Sequence, residues 1–194
     1  ENPNTGEPET LMNAPTMFQA AQRVGRTIRD IHMSEGAALE SNDVKFDVAF
    51  LFGGQIKADR MRLFMIYSAG NFIECGVDAP FLQIGEHKYG RPILVRAVSY
   101  GTELYDALKI GLVSIDSTIK SNLAVGLPID LMVLRRDELH SELTYRIEAD
   151  EPYFHDLSER WSEALRLAHT SIPRPPYGPP PLLANPPATD ADAA

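Results

Sequence analysis

Asp116-Ser117-Thr118 sets a carboxylate beside two hydroxyls, the side-chain types from which an activated nucleophile is built. The three fall inside a segment of helical spacing, where Ser and Thr hydroxyls bond the carbonyl one turn back, so neither Ser117 nor Thr118 is expected to attack a substrate. The five histidines, at positions 32, 87, 140, 155 and 169, share no metal-ligand spacing. Cys75 is the only cysteine, so no disulfide forms within the chain, and at a strand end it reads as a small core residue. There is no Gly-x-Ser-x-Gly elbow, Walker loop, His-Glu-x-x-His or Cys-x-x-Cys, and neither a metal nor a cofactor is expected. Arg135-Arg136-Asp137-Glu138 reads as a solvated charged turn. Two corners remain. In Phe81-Leu-Gln-Ile-Gly-Glu-His-Lys-Tyr-Gly90 a strand end runs through a glycine into a helix, with Glu86 at the bend. In Ser117-Thr-Ile-Lys-Ser-Asn-Leu-Ala-Val-Gly-Leu-Pro-Ile-Asp130 a helix runs through a Gly/Pro turn into a strand, with Ser121 and Asn122 at its end. Capping the helix end is one role open to Ser121 and Asn122, and a place in a site is the other.

The elements that would hold these corners follow from periodicity. Thr16-x-x-Gln19 fits a capping box, and Met17, Ala20, Ala21, Val24, Ile28 and Ile31 recur at helical spacing, with Gly36 as the predicted stop. Lys45 to Gly54 predicts a strand apolar on both faces, as in a sheet covered on both sides. Arg60–Tyr67 and Asn71–Cys75 are two further strands joined by the turn Ser68-Ala-Gly-Asn71, an antiparallel hairpin. Pro80–Gly85 predicts a short strand, and Lys88–Val98 a helix with Pro92 in its first turn. Thr102 is the predicted cap of a longer helix with the stripe Leu104, Leu108, Leu112, Ile115 and Ile119. Ile129–Leu134 and Glu142–Glu148 are strands, and Pro152 opens a last helix carrying Phe154, Leu157, Trp161, Leu165 and Ala168 on one face. Strands in blocks, separated by helices, indicate an α+β fold.

With 194 residues and 44% hydrophobic content the chain is long enough for one domain with a real core. A formal net charge of −9 and scattered Lys and Arg argue against a nucleic-acid partner. No apolar run reaches the roughly 18 residues of a membrane helix, so no membrane partner is expected either, and the composition fits a soluble cytoplasmic protein. Residues 1–14 read as a polar loop or linker and 15–172 as the folded part. The 173–194 tail has eight prolines in 22 residues and is expected to be extended or disordered, ending near Asp190 and Asp192.

Six short runs carry a resemblance. They are Phe72-Ile-Glu, Pro80-Phe-Leu-Gln-Ile-Gly-Glu, Lys88-Tyr-Gly-x-Pro-Ile, Asp116-Ser-Thr, Lys120-Ser-Asn-Leu and Pro128-Ile-Asp-Leu, in that order. From about Pro15 to about Ile172 the chain resembles the bacterial proteasome-type peptidases of the Anbu group, related to proteasome β subunits and to HslV. The resemblance implies the N-terminal nucleophile hydrolase fold, a four-layer αββα sandwich, of which this chain looks like the C-terminal portion. It implies a threonine-type peptidase that self-assembles into a large ring-like or open-ring homo-oligomer and cuts a peptide or protein substrate. The nucleophilic threonine, its lysine and the first aspartate lie in strands that precede Pro15, so none is named here, and the chain is expected to be part of a longer polypeptide. Two supporting positions match: Ser121, with Asn122 adjacent, falls at the acidic position beside the threonine amine, and Gly85-Glu86 occupies the corner where proteasome subunits place a Gly-Ser pair. Members of the group show serine where this chain has His87 and Ala124, and both departures remove a hydroxyl. The alternative is a non-catalytic assembly or binding subunit of the same fold.

Overall fold

The computed structural model describes residue 6 and residues 8–178. Helix α1 spans Met17–Glu40, and the Thr16 hydroxyl accepts the Gln19 N–H at 3.2 Å, as the capping pattern predicts. Gly36 does not stop it. Good helix formers flank this glycine on both sides, and its bare Cα packs against His32, the nearest ring atom lying 2.7 Å from where a Cβ would sit. Ahead of α1, residues Leu11–Asn13 form a 3-10 turn that Arg23 holds through Thr10 O and, at 2.6 Å, Asn13 Oδ1. Arg26 ties the same segment down through Glu9 at 2.7 Å.

Three antiparallel strands follow in the order β1-β2-β3: Ala49–Gly54, Arg62–Tyr67 and Phe72–Glu74. The pleat sends alternate side chains to opposite faces. Phe52, Phe64, Ile66 and Phe72 meet Met17, Ala21, Val24 and Ile28 of α1, and Phe64 and Ile66 are wholly buried. Burial of such side chains stabilises the fold by about 1.5–3 kcal/mol each. The first strand starts four residues later than predicted, because Phe46 and Val48 reach the same core from extended chain outside the ladder. Among the described residues α1 covers one face of this sheet only; on the other, Leu51 and Ile73 stay 41% and 46% exposed. The predicted β2–β3 hairpin forms at Ser68–Asn71, closed by Gly70 N–H to Tyr67 O at 2.8 Å with Gly70 at φ 73°. It sits hard against α1: a Cβ on Gly25 would lie 2.1 Å from Gly70 O, and Arg29 Nη1 donates to that same carbonyl at 2.8 Å.

The second half holds α2 (Arg91–Ala97), α3 (Leu104–Ile119), the antiparallel pair β4 (Ile129–Val133) and β5 (Leu143–Ile147), and α4 (Pro152–Ser171). Leu112, Ile129, Ile147, Phe154 and Leu157 form its core, with Leu108, Ile115, Ile119 and Leu131 packed around them. Residues 80–85 are irregular rather than a strand, since no neighbouring strand pairs with them. Glu103, not Thr102, caps α3: its carboxylate accepts the N–H groups of Tyr105 and Asp106 at 2.8 and 3.2 Å, and a negative charge suits a helix N-terminus better than a hydroxyl does. Thr102 closes the preceding turn by accepting the Ser99 N–H at 2.9 Å. From residue 159 the chain forms a second compact unit that contains the rest of α4, where Trp161 is half-buried and Leu165 and Ala168 are exposed. Residues 173–178 carry neither helix nor strand, and most of the proline-rich segment, 179–194, lies outside the described residues.

A helix therefore lies on a sheet twice in an α+β chain: α1 on β1–β3, and α3 with the first turns of α4 on β4–β5. These are the layers from which an αββα order is made. Among the described residues none belongs to both cores. A reciprocal bond joins the β1–β2 loop to the β4–β5 turn: Asp137 N–H donates to Gln55 Oε1 at 2.8 Å, and Gln55 Nε2 donates to Asp137 Oδ1 at 2.6 Å.

Candidate functional site

The two corners singled out by their residues meet. Gly85 takes φ 76°, a left-handed conformation open to glycine, and turns the chain so that Glu86 follows half-buried. The α3 helix ends at Ile119, and Asn122 N–H still donates to Thr118 O at 2.9 Å, which winds Asn122 back under the last turn. Asn122 Nδ2 then donates to Glu86 Oε2 at 3.0 Å across 36 residues of chain. The amide's orientation is fixed from both ends, because Asn122 Oδ1 accepts the Ala124 N–H at 2.9 Å. The second carboxylate oxygen, Glu86 Oε1, accepts the Lys88 N–H at 3.1 Å.

This environment favours the charged form of Glu86. The Lys88 backbone N–H, the Asn122 amide and the charges of Lys88 and His87 together lower its pKa from the ordinary carboxylate value, against a smaller opposing cost of desolvation. Glu86 is thus an anion at neutral pH. It can accept hydrogen bonds or hold a cation, and it is unsuited to donating a proton.

Ser121 does not join this contact. It is exposed, its N–H donates to Thr118 O at 3.0 Å, and its hydroxyl makes no hydrogen bond among the described residues. His87 and Ala124 are exposed as well. The hydroxyls of Ser117 and Thr118 bond Val113 O and Ser114 O at 3.0 and 2.9 Å, as expected of mid-helix positions.

Gln83 goes unremarked in the sequence, and Asp116 reads there only as a carboxylate beside two hydroxyls, not as a buried one. Asp116 is buried, with Oδ2 lacking a hydrogen-bond partner and 3.8 Å from Lys120 Nζ; Gln83 Oε1, three residues before Glu86, is also buried without a hydrogen-bond partner among the described residues. The available signal was that Asp116 falls four residues after Leu112, on the helix's buried side. Beside it, Gly90 approaches α3 so closely that a Cβ would lie 2.2 Å from Ser114 Oγ, which holds α2 against α3. Cys75 sits at a strand end as expected, its Sγ donating to Ala79 O at 3.0 Å, and burial pushes the thiol pKa up. Among the described residues no group of three or more His, Cys, Asp and Glu is placed to hold a metal ion. No helix among them is long and apolar enough to cross a membrane.

Comparison with protein-family models and with curated proteins gives no match. Solved structures do match. Anbu from Hyphomicrobium sp. strain MC1 is 47% identical, over 87% of this chain and 68% of that one, with a TM-score of 0.76. Anbu from Yersinia bercovieri, described as an ancestral β-subunit, is 41% identical over 90% of this chain and 72% of that one, with a TM-score of 0.80. The chain belongs to the Anbu family. A third Anbu structure, from Pseudomonas aeruginosa and described as a helical assembly of the Anbu complex, is 40% identical over 89% of this chain and 71% of that one, again with a TM-score of 0.80. Agreement at this level covers 90% of the chain, so the α+β architecture is the Anbu proteasome-like fold.

Proposed function

We propose that the chain is a subunit of a self-assembling, proteasome-like peptidase of the cytoplasm, cutting peptide bonds with a threonine nucleophile carried outside residues 1–194. The observation that carries this reading is the Glu86–Asn122 contact in a chain of the Anbu family. In threonine-type hydrolysis the nucleophile's own α-amine is the base, and it becomes an ammonium as the hydroxyl attacks. Glu86 is suited to face that ammonium: it is ionised, aimed by Asn122, and bonded by Lys88 N–H on its other oxygen. The acidic function then comes from the glycine corner rather than from the end of α3, where the aligned residue is Ser121. Asn122 is a positioning residue, and Ser121 a neighbour with a free hydroxyl. The homo-oligomeric state is supported by the helical assembly of the Pseudomonas aeruginosa relative.

The test uses the natural full-length protein, fluorogenic peptides and native mass spectrometry. E86Q removes the charge and keeps the shape; kcat/KM falls by about two orders of magnitude, with most of the loss in kcat. N122A gives a smaller loss and raises the acidic limb of the pH–rate profile, since Glu86 loses one of the bonds that lowers its pKa. An E86Q variant with full kcat sinks the role of Glu86. Wild-type protein that assembles yet cleaves nothing leaves the second reading, a non-catalytic assembly subunit. That alternative is favoured by His87 and Ala124, which stand where the resemblance places hydroxyls.

A further inference from the structure

The chain is acidic overall, with 27 Asp and Glu against 18 Lys and Arg. Its described cations mostly find carboxylates: Arg26, Arg60, Arg62, Arg135, Arg146 and Arg166 each hold one within 3.1 Å. A cluster of cations along α2 does not. An open groove of about 460 Å³ along α2 is lined by His87, Lys88, Arg91, Pro92, Val95 and Arg96, with no acidic side chain among them. The side chains of Lys88, Arg91 and Arg96 make no ion pair or hydrogen bond among the described residues. All six residues are exposed, Val95 at 61%. The one carboxylate whose charge the groove's cations feel is Glu86, through Lys88 and His87, so these like charges outnumber it, repel one another and are compensated when a further anion docks.

We propose that this groove docks an acidic peptide segment. The volume lies within the range of roughly 300–1,000 Å³ of ligand clefts. The guanidinium groups of Arg91 and Arg96 suit bidentate carboxylates, and Lys88 supplies a third positive point. The apolar part of the lining decides between anions. Pro92 and Val95 offer apolar surface that inorganic phosphate leaves uncovered, whereas a peptide lays an aliphatic side chain on it while its carboxylates reach the rim. A long polyanion such as nucleic acid runs out of the groove onto the acidic remainder of the surface; a short peptide does not. This docking is independent of hydrolysis and of Glu86, whose carboxylate is already engaged by Asn122 and Lys88 N–H.

The experiment is fluorescence anisotropy on the intact protein assembly with a labelled peptide alternating Glu and Asp with Leu, beside the same peptide with Gln and Asn in their place. The acidic peptide binds and the amide peptide binds at least about tenfold more weakly, and raising salt from about 0.1 M to about 1 M, which shortens the screening length from about 10 to 3 Å, weakens binding several-fold. The double variant R91E/R96E loses about tenfold or more in affinity, and R91Q/R96Q, which adds no repulsion, loses less in the same direction. Both substitutions sit on exposed positions, and circular dichroism confirms that the variants are folded. Equal binding of the amide peptide, equal binding of a single-stranded oligonucleotide, or unchanged binding by R91E/R96E each overturns the proposal. So does a wild-type assembly that binds no acidic peptide while R91E/R96E disperses it into smaller species, since a second copy of the chain then fills the groove.

Discussion

Replacing Gly25 by alanine isolates the contact on which the first half of the fold depends. In a helix interior Gly→Ala normally stabilises, by about 0.5–1 kcal/mol. At Gly25 space decides otherwise. The new Cβ would lie 2.1 Å from Gly70 O and 3.0 Å from the Gly70 carbonyl carbon, both backbone atoms of a closed hairpin that no side-chain rotation can move. Restoring ordinary contact takes a shift of about 1 Å or more between α1 and the β2–β3 turn, and overpacking of this kind costs about 1–3 kcal/mol. The shift also strains the Arg29–Gly70 bond, and hydrogen bonds to charged groups contribute about 1.5–3 kcal/mol when lost outright. Allowing for the helical gain, G25A destabilises by about 2 kcal/mol, or about 4–8 °C in Tm for a chain of this size. Urea unfolding followed by circular dichroism measures it, with G111A as the control. Gly111 lies inside α3 with nothing within 4 Å of its would-be Cβ, so the same substitution there stabilises by about 0.5–1 kcal/mol. A G25A protein as stable as wild type, or shifted like G111A, would refute the close-approach argument.

Glu74 bonds Arg62 twice, at 2.7 and 2.6 Å, and Arg62 stacks over Phe64 at 4.9 Å, so E74Q destabilises by about 1 kcal/mol in denaturant titrations. The Arg62 hydrogen bonds lower the Glu74 pKa; the contribution is present above the unfolded carboxylate pKa and fades as pH falls through the folded value, so the E74Q deficit should shrink in acid. Glu142, bonded by Arg135 and by the Tyr105 hydroxyl, titrates at about 2, and R135A moves that midpoint toward the ordinary carboxylate range in a carbon-13 NMR titration. N122D sets a carboxylate against Glu86 where an amide donor stood 3.0 Å away, and the Glu86 midpoint rises in the same kind of titration.

Much of the architecture was legible because local signals agreed with it. Thr16 caps α1, Ser68–Asn71 closes a hairpin, Pro152 opens α4, and the hydroxyls of Ser117 and Thr118 turn back on their own helix. The misreadings share one cause: a local cue was overruled by what surrounds it. Gly36 sits among residues that propagate a helix, and Glu103 outcompetes the Thr102 hydroxyl for the same N–H groups. Residues 80–85 have a strand's composition and no strand beside them. The candidate site was half legible. Glu86 and Asn122 were marked by their corners, but that 36 residues of chain bring their side chains to 3.0 Å depends on how α3 lies in the fold, which neither corner encodes. Ser121 was marked for the same reason as Asn122, and its one-residue offset leaves its hydroxyl facing outward.

Among the described residues the two hydrophobic cores share none, which has a consequence for how the molecule fails. Each helix-on-sheet half gains its stability from its own apolar contacts, so each can open as a cooperative unit without emptying the other. The Gln55–Asp137 pair links them with polar bonds at an exposed place, where each such bond contributes about 1 kcal/mol. A stabilising change in one core then protects the other only as far as the two open together, and protease cutting first within one half is the sign that they do not.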